Sequence, residues 1–141
     1  DFAYYPCTKN INVDLTKWKC VETITFSISK AFYGAEFLRV GMRCERLDTD
    51  DGIDVFNSVD MHNRMSLSIA NELIKTFDVD WNWLQYNNIY NQVITEKKLT
   101  PTDCIMFGLG GEEYKDFNRG GSVNRVCISE LIGEKLNDNS K

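Results

Sequence analysis

The sequence predicts an α+β fold in which a small antiparallel sheet packs against a helical hairpin. Two patterns predict it: apolar residues alternate with polar ones over residues 21–30 and 38–45, and they recur at helical spacing over 58–77 and 81–99. The chain has 141 residues, 43% of them apolar and 26% charged, the size and balance of an ordinary globular protein. We therefore predict a single domain over residues 1–141.

The first part of the chain predicts an irregular arm followed by a β-hairpin. Residues 1–20 mix Pro6 and several asparagines with aromatic side chains, which is typical of an arm that packs on a domain. Strands over 21–30 and 38–45, joined by a turn at 33–35, are expected to pair in antiparallel order. The predicted apolar faces of these strands are Ile24, Phe26 and Ile28, and Leu38, Val40, Met42 and Cys44.

Two helices are predicted after an acidic loop at residues 48–54. Ser58 is expected to cap the first of them, and the second should run from Trp81 to about Leu99. The predicted inward stripe of the first helix is Met61, Met65, Ile69, Leu73 and Phe77, widened by Ala70 and Ile74. That of the second is Trp83, Tyr86, Tyr90 and Val93.

The C-terminal third adds a strand, a glycine-rich loop and a mixed segment. Residues 104–109 are expected to form a buried strand that gives the sheet its third member. Residues 108–121 hold five of the nine glycines among charged side chains, which is typical of a flexible surface loop. A further strand and a short helix ending near Gly133 should follow, with a frayed tail over 137–141.

Charge restricts the choice of partner. The net charge of −5 disfavours nucleic acid and anionic membrane surfaces. Residues 48–141 contain nine basic and sixteen acidic side chains, so a partner with a basic surface should meet this part. No apolar run approaches the length of a membrane span.

The cysteines favour an oxidising compartment. Five cysteines are frequent for this length, and the preferred bridges are Cys7–Cys20 and Cys104–Cys127, with the odd thiol left over. The chain starts at Asp1, which fits a mature exported protein and fits a piece of a longer chain equally well. We expect a secreted or periplasmic location; five reduced thiols in a cytoplasmic protein are the alternative.

The acidic loop contains oxygen ligands that suit calcium, but their spacing does not match a known calcium-binding loop. Asp48, Asp50 and Asp54 alternate around a glycine turn, as oxygen ligands of calcium do. In the EF-hand pattern the glycine is sixth and an acidic residue is twelfth, whereas Gly52 is fifth and Val59 twelfth counted from Asp48. We predict a solvated loop, no metal and no cofactor.

No arrangement of residues predicts catalysis. The single histidine, His62, is expected on the surface of the first helix, and the sequence brings no cysteine to it. The turn at 108–111 resembles a phosphate-binding loop, but Glu112 and Glu113 would place negative charge against the anion. The absence of a CxxC pair removes the signature of a redox or zinc-ribbon site. We predict no catalytic residue.

These observations favour a domain that binds another protein. We expect an inhibitor or immunity-type partner of a toxin or enzyme, which docks through acidic and aromatic side chains. Two alternatives are a small carboxylate-based or metal-assisted hydrolase and a structural subunit of a larger assembly. The predicted partner-binding residues are Trp81, Tyr86, Glu112, Glu113, Tyr114, Asp116 and Arg119.

Overall fold

The computed structural model describes residues 1–48 and 50–138, so Thr49 in the acidic loop and the end of the predicted tail lie outside the described residues. Four α-helices and two small antiparallel sheets within these ranges confirm the α+β class. The chain divides into two compact units. Unit 1 contains Asp1–Pro6 and Ile11–Asp78, and unit 2 contains Cys7–Asn10 and the chain from Val79 onward.

The regular elements follow one another in the order ββαααβββα. They are β1 (Thr23–Ser27), β2 (Gly41–Glu45), α1 (Gly52–Ser58), α2 (Arg64–Thr76), α3 (Trp81–Glu96), β3 (Thr100–Pro101), β4 (Phe107–Gly110), β5 (Asn124–Cys127) and α4 (Ser129–Asp138).

The predicted hairpin is present in unit 1 and is shorter than the alternation suggested. Strands β1 and β2 pair antiparallel with Thr23 opposite Glu45. At the end of β1 the backbone N–H groups of Ile28 and Ser29 both donate to the carbonyl of Val40, at 3.0 and 3.1 Å. The shared acceptor turns the chain into a short 3₁₀ helix at Ile28–Lys30, which ends the strand.

Helix α1 begins inside the predicted acidic loop. Asp51 accepts hydrogen bonds from the backbone of Ile53 and Asp54, and the Asp54 side chain accepts one from the backbone N–H of Asp51, which forms a capping box. The prediction that Ser58 caps the next helix is wrong, because Ser58 ends α1. Asn63 caps α2 by accepting from the N–H of Ser66 at 3.0 Å.

Helix α2 buries only part of the predicted stripe. Ser66 and Ala70 are buried, whereas Met65 and Ile69 are 75% and 45% exposed. The ring of Phe77, just after the helix, packs against Phe32 at 5.7 Å between centroids. Apolar residues occupy two neighbouring stripes of this helix, so packing rather than periodicity decides which one is buried.

Unit 2 holds the second sheet. Its strand order is β3-β4-β5, all antiparallel, with Phe107 opposite Cys127. The strands predicted to form one sheet are thus divided between two sheets, because the C-terminal strands pair with one another. Helix α3 ends at Glu96, ahead of the predicted Leu99, and α4 runs past the predicted end at Gly133.

The core of unit 2 lies between its helices and its sheet. Helices α3 and α4 are in contact, and Lys135 forms an ion pair with Glu96 at 2.8 Å. The largest fully buried side chains of unit 2 include Asn82, Tyr90, Val93, Ile105, Ile128 and Ile132. In the part of the chain that the structure describes, every helix is too short or too polar to cross a membrane.

Candidate functional site

The segment predicted as a flexible loop contains a 3₁₀ helix at Glu112–Phe117 that is anchored to the end of α3. The ring of Tyr114 lies directly over Gly110, where a Cβ atom would come within 2.5 Å of the ring. The Tyr114 hydroxyl donates to the carbonyl of Lys97 at 2.9 Å. Glycine at position 110 therefore allows the chain to fold back against the end of α3.

Two asparagines fix the far end of the 3₁₀ helix. The side-chain amide of Asn118 donates to the carbonyl of Gly121 at 3.1 Å and to Oδ1 of Asn124 at 3.0 Å. Its oxygen accepts from the N–H of Gly120 at 2.8 Å. The amide of Asn124 in turn donates to the carbonyl of Gly111 at 2.7 Å. Both ends of the 3₁₀ helix are thus tied to the start of β5.

The outward surface of this helix, which we call the acidic patch, consists of Glu112, Glu113, Asp116 and Phe117. All four are exposed, and the Phe117 ring is 50% exposed while packing against Tyr114 at 6.0 Å. Among the described residues none of the three carboxylates forms an ion pair. The patch therefore presents three exposed carboxylates on the same segment as an exposed aromatic ring.

Three residues per turn separate the side chains of a 3₁₀ helix into faces. Here Tyr114 departs from helical backbone angles (φ −109°, ψ 19°), so the pattern is interrupted between Glu113 and Asp116, and the rings of Tyr114 and Phe117 are in contact. Lys115 carries a compensating charge, and Arg119, a predicted site residue, is exposed just beyond the helix. Three acidic residues therefore stand against two basic ones over residues 112–119.

Trp81 and Tyr86 lie apart from the acidic patch. Their rings meet edge to face at 5.3 Å, and partial burial raises the pKa of the Tyr86 hydroxyl. Trp81 begins α3, whereas Lys97, which binds Tyr114, follows its end; at 1.5 Å per residue these positions are about 24 Å apart. The seven predicted residues consequently form two separate groups.

The neighbouring tryptophan on α3 is a core residue. Trp83 is buried and donates its indole N–H to the carbonyl of Cys7 at 3.0 Å, and the ammonium of Lys9 lies 4.3 Å from its ring centroid. The sequence places Trp81 and Trp83 on different faces, and the structure shows which of them is buried.

The acidic loop at 48–54 is organised by an arginine. Arg43 contacts Asp51 at 2.6 Å, Asp54 at 2.7 Å and Glu45 at 2.9 Å. The hydrogen bond from Arg43 is the main reason that the pKa of Asp51 is lowered, and Asp51 correspondingly raises the pKa of Arg43. Asp54, a weak metal candidate of the sequence, is therefore occupied by a guanidinium group.

The remaining metal and histidine candidates are on the surface. Asp48 accepts a hydrogen bond from the N–H of Asp50 at 3.2 Å, and both residues are exposed. His62 is exposed in the turn before α2 rather than within that helix. Over residues 1–48 and 50–138, no three His, Cys, Asp or Glu side chains lie close enough to hold a metal ion.

The five cysteines differ in their exposure. Cys7 is buried, Cys104 is partly buried, and Cys20, Cys44 and Cys127 are exposed. Burial raises the pKa of the Cys104 thiol, and the neighbouring Cys127 raises it further. The two bridges predicted from the sequence stay predictions.

The fold and this surface together define a small α+β protein that presents an anchored 3₁₀ helix with exposed charged side chains. No family model, no curated protein and no solved structure matches the chain.

Proposed function

We propose that this chain is a protein-binding domain, an inhibitor or immunity-type partner that docks its acidic patch on a basic surface of another protein. One observation carries the proposal: exposed carboxylates without ion pairs among the described residues share, with a half-exposed phenylalanine, a 3₁₀ helix held at both ends. We further propose a secreted or periplasmic location, which the number of cysteines supports.

Anchoring of the 3₁₀ helix favours binding because ordering a loop upon association costs free energy. Tyr114 and Asn118 already hold the backbone through hydrogen bonds to Lys97 and Gly121. A partner therefore meets a surface whose shape is already set. This is the condition under which a small patch can bind with useful affinity.

The chemistry of the patch determines the partner. Exposed carboxylates accelerate encounter with a positive surface and orient it, while an exposed aromatic ring supplies the apolar contact that slows dissociation. Glu113 and Asp116 are the charges to be neutralised, and Phe117 is the anchor. A lysine- or arginine-rich surface with one apolar pocket or side chain fits this arrangement.

A displayed library of random peptides tests the proposal, because selection reveals which side chains the acidic patch prefers. Selection on the wild-type protein is expected to enrich peptides that combine basic residues with an aliphatic or aromatic residue. A synthetic copy of the most enriched peptide is then titrated calorimetrically. Its amide shift perturbations in nuclear magnetic resonance spectra should map to residues 112–117.

Matched variants locate the interaction. The double variant E113Q/D116N removes two charges of the patch, and E72Q/D78N removes two exposed carboxylates of unit 1. We expect the first to weaken binding about tenfold or more and the second to leave it within about twofold, since losing a charge-assisted contact costs on the order of 1.5 kcal/mol. Enrichment of peptides without basic residues, or equal affinity for both variants, would contradict the proposal.

A further inference from the structure

The segments 2–5 and 11–16 form an apolar cleft with strand β1 in unit 1. Its volume is about 410 Å³, near the lower end of the range of pockets that hold small organic molecules. Three aromatic and four aliphatic side chains line it, among them Phe2, Tyr5, Ile11, Leu15, Ile24 and Phe26. Val13, which also lines the cleft, is 56% exposed, so the cleft is open to solvent there. This size and lining suit a compact apolar ligand.

The walls of the cleft are held in place by hydrogen bonds within unit 1. The backbone N–H of Phe2 donates to the carbonyl of Thr25 at 2.6 Å, which fixes the first wall on β1. At the second wall the Arg46 guanidinium donates to the carbonyl of Thr16 at 3.2 Å and to that of Trp18 at 3.3 Å. Because the walls are already ordered, a ligand does not bear the free-energy cost of ordering them.

The aromatic side chains of the cleft favour an aromatic ligand. The rings of Phe2 and Tyr5 meet edge to face, with centroids 6.1 Å apart and planes at 60°. Phe26 of β1 adds a third ring to the lining. Stacked and edge-to-face contacts between rings contribute free energy beyond that of burying apolar area. A flat ring that enters the cleft can make such contacts with several side chains at once.

One carboxylate determines the charge that suits the cleft. Among the described residues that line it, Asp14 is the only one with a charged side chain. Hydrogen bonds from the Thr16 hydroxyl and from Lys17 lower the pKa of Asp14, so the carboxylate is ionised at neutral pH. A positively charged group on the ligand therefore finds its counter-charge at the edge of an apolar site.

The ion pair between Asp14 and Lys17 does not block this carboxylate. Its Oδ2 lies 3.3 Å from the Lys17 ammonium, and the lysine side chain is 78% exposed. Exposed pairs of this kind contribute little free energy, because solvent screens them and both side chains lose conformational freedom. An ammonium group held in the cleft can therefore replace Lys17 at this oxygen.

We propose that this cleft binds a small aromatic amine, a ring system that carries a short chain ending in a protonated nitrogen. The ring packs among Phe2, Tyr5 and Phe26, and the ammonium group donates to Asp14. The cleft is built from residues of unit 1 alone, whereas the acidic patch belongs to unit 2. The inference therefore does not depend on the proposed function.

Titration of the whole chain with three indoles tests the ring and the charge separately. Tryptamine carries an ammonium group, indole is neutral, and indole-3-acetate carries a carboxylate on the same ring. Saturable amide shift changes in nuclear magnetic resonance spectra should map to residues 2–5, 11–16 and 23–27. We expect tryptamine to bind about threefold more tightly than indole, and indole-3-acetate to bind most weakly. Shift changes centred elsewhere, or equal affinity for tryptamine and indole, overturn the proposal.

A charge variant and its control test the role of Asp14. Asp14→Asn keeps a side-chain oxygen for the backbone N–H of Thr16 but removes the negative charge. It should weaken tryptamine binding about threefold and leave indole binding unchanged. Asp78→Asn removes an exposed carboxylate of unit 1 outside the cleft and should change neither affinity. Equal effects of the two variants on tryptamine overturn the proposal.

A ring variant and its control test the apolar contact. Phe2→Ala should weaken binding of both tryptamine and indole about fivefold. Phe37→Ala removes a ring that is 88% exposed and lies outside the cleft, so it should leave both affinities unchanged. Equal affinities of the two variants overturn the proposal. Shift changes at the same amides when the protein alone is concentrated would show that a second copy fills the cleft, and these also overturn it.

Discussion

The hydroxyl of Tyr90 accepts a hydrogen bond from the backbone N–H of Thr102 at 2.7 Å. Tyr90 is 1% exposed, and its hydroxyl oxygen lies within donating distance of two carbonyls, that of Thr102 at 3.1 Å and that of Phe107 at 3.2 Å. One side chain of α3 therefore satisfies backbone groups at both ends of the segment that connects β3 to β4.

Replacing Tyr90 with phenylalanine should destabilise the protein by about 1–3 kcal/mol, because the partly buried N–H of Thr102 loses its hydrogen-bond acceptor. Equilibrium unfolding in urea measures the change. Tyr114→Phe is the matched control, since it deletes the same atom from an exposed hydrogen bond to Lys97. Equal losses in the two variants would show that burial of the hydroxyl is not what matters.

Gly108 allows β4 to approach α3. A Cβ atom there would lie 2.7 Å from Cδ1 of Ile94 and 2.9 Å from Cδ1 of Leu99. Gly108→Ala should therefore cost about 1–3 kcal/mol of unfolding free energy through overpacking. At Gly121 nothing lies within 4 Å of the added methyl group, so Gly121→Ala should stay within about 0.5 kcal/mol of wild type. Thermal or urea unfolding that ranks the two variants in the opposite order contradicts this packing.

The carboxylates held by Arg43 predict how stability changes with pH. The hydrogen bond from Arg43 lowers the pKa of Asp51 in the folded protein below the value of about 3.9 expected for the unfolded chain. A group with a depressed folded pKa stabilises the protein above the unfolded pKa, and this stabilisation is lost as the pH falls through the folded pKa. Acid should therefore weaken the attachment of α1 to β2.

Arg43→Gln tests this effect. The variant should unfold at a lower urea concentration than wild type at neutral pH, and its midpoint should fall less than that of wild type between neutral and strongly acidic pH. Arg64→Gln, which removes an exposed pair with Asp60 at 3.3 Å, is the control and should keep the wild-type pH profile. A parallel acid response in wild type and Arg43→Gln contradicts the prediction.

Sequence patterns located most elements because local periodicity is a property of the chain itself. The alternation of Ile24 and Phe26 is sufficient to predict β1, and the spacing of Trp83 and Tyr90 is sufficient to predict α3. Which stripe of α2 faces inward depends on what packs there. Met65 and Ala70 both belong to the predicted stripe, yet only Ala70 is buried.

The candidate site was predictable in composition and not in geometry. Glu113 and Asp116 were identifiable as exposed acids in a glycine-rich segment, because such segments rarely enter a core. Their grouping apart from Trp81 depends on the length of α3, and the anchoring depends on hydrogen bonds that periodicity does not encode. The sequence indicates only that Asn118 suits a turn. An asparagine that binds backbone groups looks the same in sequence as one that faces water.

Asn118 offers a way to separate anchoring from charge. Asn118→Ala removes the hydrogen bonds to Gly120, Gly121 and Asn124 while leaving every carboxylate of the acidic patch in place. We expect a loss of about 1 kcal/mol in unfolding free energy, faster amide exchange over residues 112–117 and weaker binding of the selected peptide. The exposed Asn88 of α3 provides the control. Asn88→Ala should not lower the unfolding free energy, speed amide exchange over residues 112–117 or weaken peptide binding. If Asn118→Ala speeds exchange but leaves peptide affinity unchanged, charge alone accounts for docking and the anchoring of the 3₁₀ helix has only a structural role.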